Sequence, residues 1–197
     1  MKHQQSFNIM KRFSIHALAV SAAVSMLLAG SAQAQPQAEP CSLMPIALSA
    51  QTLLDVAPGA VLTNIWNGSQ PGNFGWLSWT GDSGEPTLYV SLLETGDSST
   101  YTNPDNAGDH VVKTGDWISG KAGVSNGKHV RAALNALIEV EIVVPVWDEV
   151  RGEGDNVAYH VSGFAIVQII SYDLPSKNRI TARFVSYTVC NSSQDNT

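Results

Sequence analysis

Cysteine is scarce in this sequence, and so are cations and long apolar runs. Two cysteines in 197 residues exclude a disulfide-dense scaffold and a cysteine-rich zinc module. Three of the 11 Lys and Arg residues and none of the 17 Asp and Glu fall within residues 1–34, so the remainder carries 8 cations against 17 acids, a net charge of −9. Nucleic acid demands a basic patch that such a chain does not offer, and an anionic lipid surface is equally ill matched. The most apolar stretch, Phe13–Leu28, falls short of the roughly 20 residues a membrane-spanning helix wants. His110, His129 and His160, the histidines beyond residue 34, form no H-x-x-x-H or H-E-x-x-H pattern, so a helical zinc site has no support.

What the short apolar run does have is the flanks of an export signal. Lys2, Lys11 and Arg12 precede it, small residues follow it, and Ala32-Gln33-Ala34 reads as a cleavage site. Residues 1–34 are therefore expected to be a cleaved signal peptide and 35–40 a flexible spacer. A single extracytoplasmic domain is expected over 41–190, periplasmic, secreted or at the cell surface, with a polar tail at 191–197 and no stable membrane insertion after cleavage. In an oxidising compartment Cys41 and Cys190 are expected to pair; two reduced thiols or a metal-binding pair are the alternatives.

Within the domain, short apolar runs are separated by clusters of Gly, Asn, Asp, Ser and Pro, the pattern of a mainly β chain. Leu43–Leu48, Ala60–Trp66, Glu139–Trp147, Tyr159–Tyr172 and Ile180–Cys190 read as strands. Tyr159–Tyr172 is apolar on both faces and so is expected to be central. Pro145 lacks an N–H and is expected at an edge or a bulge. One short helix is expected over Lys128–Ile138, capped by Ser125, with Val130, Leu134, Leu137 and Ile138 at helical spacing. Thr87–Glu94 fits either a strand or a helical face. The fold class is mainly β, a barrel or sandwich-like single domain with one short helix.

Candidate chemistry is thin. Ser69, Ser83, Ser119, Ser125 and Ser162 lie near glycines, and none reads as an activated nucleophile. Glu139 and Glu141 are expected to share a strand face, and a hydrolase using either that pair or Asp116 with a histidine is the least favoured reading. Asp97, Asn103, Asp105, Asn106 and Asp109 gather oxygen ligands in one loop. A solvated loop with no cofactor is the plainer expectation; Asp97, Asp105 and Asp109 are the candidate ligands for a structural calcium as the alternative, although the spacing is not that of an EF-hand. Trp66, Trp76 and Trp79 flank the Asn67–Asn73 loop and are the candidate patch for a sugar or a protein partner.

Five segments occur in a telling order: Gly72-Asn73-Phe74-Gly75-Trp76-Leu77, Gly115-Asp116-Trp117-Ile118, Arg131-Ala132-Ala133-Leu134, Val143-Val144-Pro145-Val146-Trp147-Asp148 and Tyr159-His160-Val161-Ser162-Gly163-Phe164-Ala165. Together they resemble the C-terminal region of Flp pilus-assembly proteins of the Tad type (TadE/TadG-like). The resemblance implies an extracytoplasmic, pilus- or surface-associated module whose partner is an envelope or pilus protein. The expectation is therefore an exported, non-enzymatic module acting through protein contacts, with a carbohydrate- or calcium-binding module as the alternative.

Overall fold

Apolar alternation resolves into seven strands among the residues that the computed structural model describes: 41–82, 85–93, 98–121 and 126–190, with backbone alone at 85–87. The expected signal peptide, spacer and polar tail lie outside these residues. The strands are β1 (Ile46–Ser49), β2 (Val61–Trp66), β3 (Phe74–Leu77), β4 (Trp117–Lys121), β5 (Glu141–Arg151), β6 (Ala158–Asp173) and β7 (Arg179–Thr188). Two short helices, α1 (Glu85–Leu93) and α2 (Lys128–Ala136), accompany them. The fold is mainly β and sandwich-like.

The ladders run β2-β7-β6-β4-β3-β1-β5, and β5 also pairs with β6, so β6, β4, β3, β1 and β5 make a closed circuit. All these pairs are antiparallel except β1–β5. Every strand of the circuit contributes to one buried cluster: Ala47, Leu77, Ile118, Trp147, Tyr159, Val161 and Phe164, joined by Trp79, Tyr101 and Val112 from the connections. The opposite faces of β1, β3, β5 and β6 bury Ile46, Leu48, Phe74, Trp76, Val144, Val146, Ala165, Val167 and Ile169 in a second cluster with β7 and the helices. The expected central strand is thus β6, apolar on both faces because it serves two cores.

Pro145 stands at neither an edge nor a bulge. On one side it pairs with Phe164 of β6, and on the other it falls between the Leu43–Val143 bridge and the Leu48–Val146 ladder to β1. Its missing N–H costs nothing there, since the neighbouring chain turns through Met44–Ile46, where Ile46 N–H donates to Met44 O at 2.8 Å.

The ambiguous 87–94 stretch is helical as far as Leu93, where the described residues of this segment end. Leu88 and Leu92, one turn apart, are each 1% exposed, whereas Val90, which a strand would bury beside them, is 43% exposed. The one helix expected, over Lys128–Ile138, is present as α2, burying Val130, Ala133 and Leu134 against the same cluster as Leu88 and Leu92. Ser125, the expected cap, lies outside the described residues, and Gly127 occupies the cap position. Cys41 and Cys190 form a disulfide, with Cα atoms 5.2 Å apart, that ties the two ends of the described domain together. No helix among the described residues is long and apolar enough to cross a membrane.

Candidate functional site

Two bulges in the β5–β6 ladder build the most elaborate polar cluster on the described surface. Register slips between Val146↔Gly163 and Trp147↔Val161, leaving Ser162 over on β6, and again between Trp147↔Val161 and Glu149↔His160, leaving Asp148 over on β5. A bulge re-aims the side chains around it. Here the extra Asp148 turns onto His160, whose Nδ1–H donates to the carboxylate at 2.7 Å. On the other side of β6, Trp117 of β4 pairs with His160, and the two rings sit 5.3 Å apart. Arg151, at the end of β5, lays its guanidinium 4.3 Å over the Trp117 ring and reaches Asp105 Oδ1 at 2.5 Å.

The 98–116 connection braces this surface from beneath. Tyr101 is fully buried and donates its hydroxyl to Trp117 O at 2.9 Å, and burial beside Asp116 holds its phenol far above the ordinary range. Asp116 accepts from Lys113 N–H at 2.7 Å and from Asn103 Nδ2 at 3.2 Å. Burial nonetheless raises its carboxyl above the ordinary 3.8, the Lys113 N–H opposing the shift. The result is an exposed sheet face on which a stacked Trp–Arg pair and an Asp–His pair are held in place by carboxylates. Such a face can bind and orient. Its charge is mixed, with Asp105, Asp148 and Glu149 around Arg151 and His160.

The residues expected to act together are largely separated. Trp76 and Trp79 are fully buried, and they belong to different cores, so they correct the expected three-tryptophan patch. Trp66 alone of the three is on the surface, 47% exposed. Alternation accounts for this: Phe74 and Trp76 face one core, and Leu77 and the glycine side of β3 face the other. Glu139 and Glu141 do not share a strand face either. Glu139 stands in the turn before β5 with φ 60°, its N–H donating to Ile169 O, while Glu141 pairs with Gln168.

The oxygen-rich loop commits its side-chain oxygens to its own backbone. Asn103 Oδ1 accepts from Asp105 N–H, Asn106 Oδ1 from Gly108 N–H, and Asp109 Oδ1 from Val111 N–H. These are Asx turns, each closing on the residue two further on. Asp105 also holds Arg151, Asp109 lies 3.5 Å from Lys113 Nζ, and Asp97 lies outside the described residues. Among the described residues no three His, Cys, Asp or Glu side chains converge as metal ligands.

Among the histidines, His110 Nδ1 donates to Tyr101 O at 2.7 Å and His129 packs on Tyr89. Ser125 sits in a nucleophile-elbow sequence pattern that a reading of its neighbouring glycines alone passes over. Gly123-Val124-Ser125-Asn126-Gly127 is a G-x-S-x-G run between β4 and α2, although Ser125 lies outside the described residues and β4 is antiparallel to both its neighbours, unlike the strand of a hydrolase elbow. The Trp117–Arg151–His160–Asp148 grouping was within reach of hairpin arithmetic. The Gly152–Asn156 turn sets Arg151 against Ala158 and so brings Asp148 and Glu149 opposite His160.

No protein-family model, no curated protein and no solved structure matches this chain.

Proposed function

We propose that this chain is an exported, non-enzymatic recognition module that holds a protein partner on the Trp117–Arg151–His160–Asp148 face, in the service of envelope or pilus assembly. The observation that carries the reading is the Arg151 guanidinium stacked 4.3 Å over Trp117 and anchored on Asp105 in an exposed position. Tryptophan and arginine dominate the energetics of protein interfaces, and anchors fixed before binding lose less entropy on docking. The surrounding carboxylates favour a partner segment carrying Lys or Arg. Export is supported by the signal-like 1–34 segment and by the Cys41–Cys190 bridge, which persists in oxidising compartments. The setting rests on the resemblance to Tad-type pilus-assembly proteins.

The test is crosslinking in the host cell with tagged protein. A discrete envelope or pilus protein is expected with the wild type, and its yield falls by about tenfold or more with Arg151→Ala, the size of a hot-spot loss. Arg151→Lys is expected to lose most of it too, because lysine keeps the charge but not the planar stack. Equal yields from wild type and variants would sink the proposal.

A further inference from the structure

A cavity of about 370 Å³ opens at one end of the closed strand circuit, between the 67–69 loop, Lys121, Glu153, Gly154, Val157 and Tyr159. The ladders bring these residues together. Lys121 ends β4 opposite Trp76, Arg151 ends β5 opposite Ala158, and the turn through Glu153 and Gly154 joins β5 to β6. Gly68 N–H donates to Phe74 O at 2.9 Å, which draws the 67–69 loop against the start of β3. Tyr159 reaches the cavity from within. Its ring lies across Gly120 of β4, with the phenol end at Gly75 of β3. The residue is only 4% exposed, yet among the described residues its hydroxyl has no hydrogen-bond partner. The exposed Glu153 carboxylate likewise makes no hydrogen bond or ion pair among the described residues. A nearly buried hydroxyl left unpaired costs stability, and such groups are rare unless something else completes the bond.

We infer that this cavity binds a free amino acid as its zwitterion, with the carboxylate on the Tyr159 hydroxyl and the ammonium on Glu153. The size fits a small ligand, since 370 Å³ lies near the bottom of the roughly 300–1,000 Å³ range of small-molecule sites. The charge fits a zwitterion. Lys121 and Glu153 bring one charge of each sign to the same cavity. A ligand with a single charge of either sign would meet a like charge there, whereas a zwitterion can set each end toward its opposite. The hydrogen-bond inventory agrees. Burial pushes the Tyr159 phenol up to about 12, so the hydroxyl keeps its proton and can donate to a carboxylate, which only accepts. The Glu153 carboxylate needs a donor, and an ammonium offers nothing else. Val157, mostly buried at the same cavity, supplies an apolar wall for the ligand's side chain. The site shares no residue with the Trp117 face and does not depend on the recognition role proposed for it.

Calorimetric titration of the purified protein with the full set of protein amino acids tests the assignment, followed by the N-acetyl and methyl-ester derivatives of the tightest binder. At least one free amino acid is expected to bind. Each derivative, which lacks one of the two charges, should bind at least about tenfold more weakly, the worth of one charge-assisted hydrogen bond. Glu153→Gln and Tyr159→Phe should each lower affinity by about the same factor. Tyr159→Phe carries a second readout. Without ligand its urea midpoint should equal or exceed that of the wild type, because the hydroxyl it removes has no partner to lose. Binding of no amino acid, equal binding of either derivative, undiminished binding by either variant, or a destabilised ligand-free Tyr159→Phe would overturn the inference.

Discussion

Tyr159 keeps its place because Gly75 and Gly120 leave room for its ring. A Cβ at Gly120 would sit 2.6 Å from Tyr159 Cε2 and equally close to Val157 Cγ1, and one at Gly75 would overlap the phenol end of the same ring. Burial pushes the Tyr159 phenol up to about 12, so the ring is packed as a neutral group. Gly75→Ala is expected to cost about 1–3 kcal/mol by overpacking, and to cost much less in a Tyr159→Ala background. A urea double-mutant cycle measures the difference, and additive losses would contradict the cradle. Asp116 makes a pH prediction at the same scale. Its carboxyl titrates above 3.8 in the folded chain, chiefly through burial, so the folded state holds that proton more tightly than the unfolded state. Its contribution to stability is therefore fully present below the unfolded value and is lost as pH rises through the raised one. Over that window the wild type should lose stability relative to Asp116→Asn, and a pH-independent difference between the two urea-unfolding series would exclude the assignment.

Strands and helices were legible where periodicity and burial agreed. The β6 run carries apolar residues on both of its faces, and two cores flank it. Yet Val161 does not share a face with Ala165, as strict alternation implies, because the extra Ser162 shifts the parity between them. A second slip leaves Asp148 over and aims it at His160, and that aim, unlike the pairing of the strands, leaves no mark in composition. For α1 the sequence left two periods open, and the packing of Leu88 and Leu92 under α2 decided between them. Leu134→Ala, in the buried stripe of α2, is expected to cost about 2–5 kcal/mol, and Val90→Ala, on the solvent side of α1, well under about 1 kcal/mol. Chemical denaturation of the pair checks it, and equal losses would mean that the helices present other faces to the core. The oxygen-rich loop shows the converse. Asx-turn residues and calcium ligands are the same residue types, and only backbone geometry tells which N–H groups claim the oxygens.

At the scale of the whole molecule, a closed circuit of ladders and one terminal staple hold the two cores in register. The Cys41–Cys190 bridge spans 149 residues, so in the chain-entropy argument its loss should cost up to about 5 kcal/mol, with about 2–5 kcal/mol expected for a double Cys41→Ser, Cys190→Ser variant. Urea midpoints of the oxidised wild type and that variant measure it, and identical midpoints would show that the strand circuit alone carries the fold. The recognition role proposed for this scaffold depends on which face meets the partner. The most direct measurement places a photo-crosslinking amino acid at Glu149, beside the Trp117–Arg151 stack, and in a second protein at Val140, exposed just before β5 on a different part of the surface. Irradiation in the host cell is expected to give a discrete adduct from position 149 and none from position 140, whereas adducts from 140 alone, or the same adducts from both, would contradict the assignment of the Trp117–Arg151 face as the contact surface.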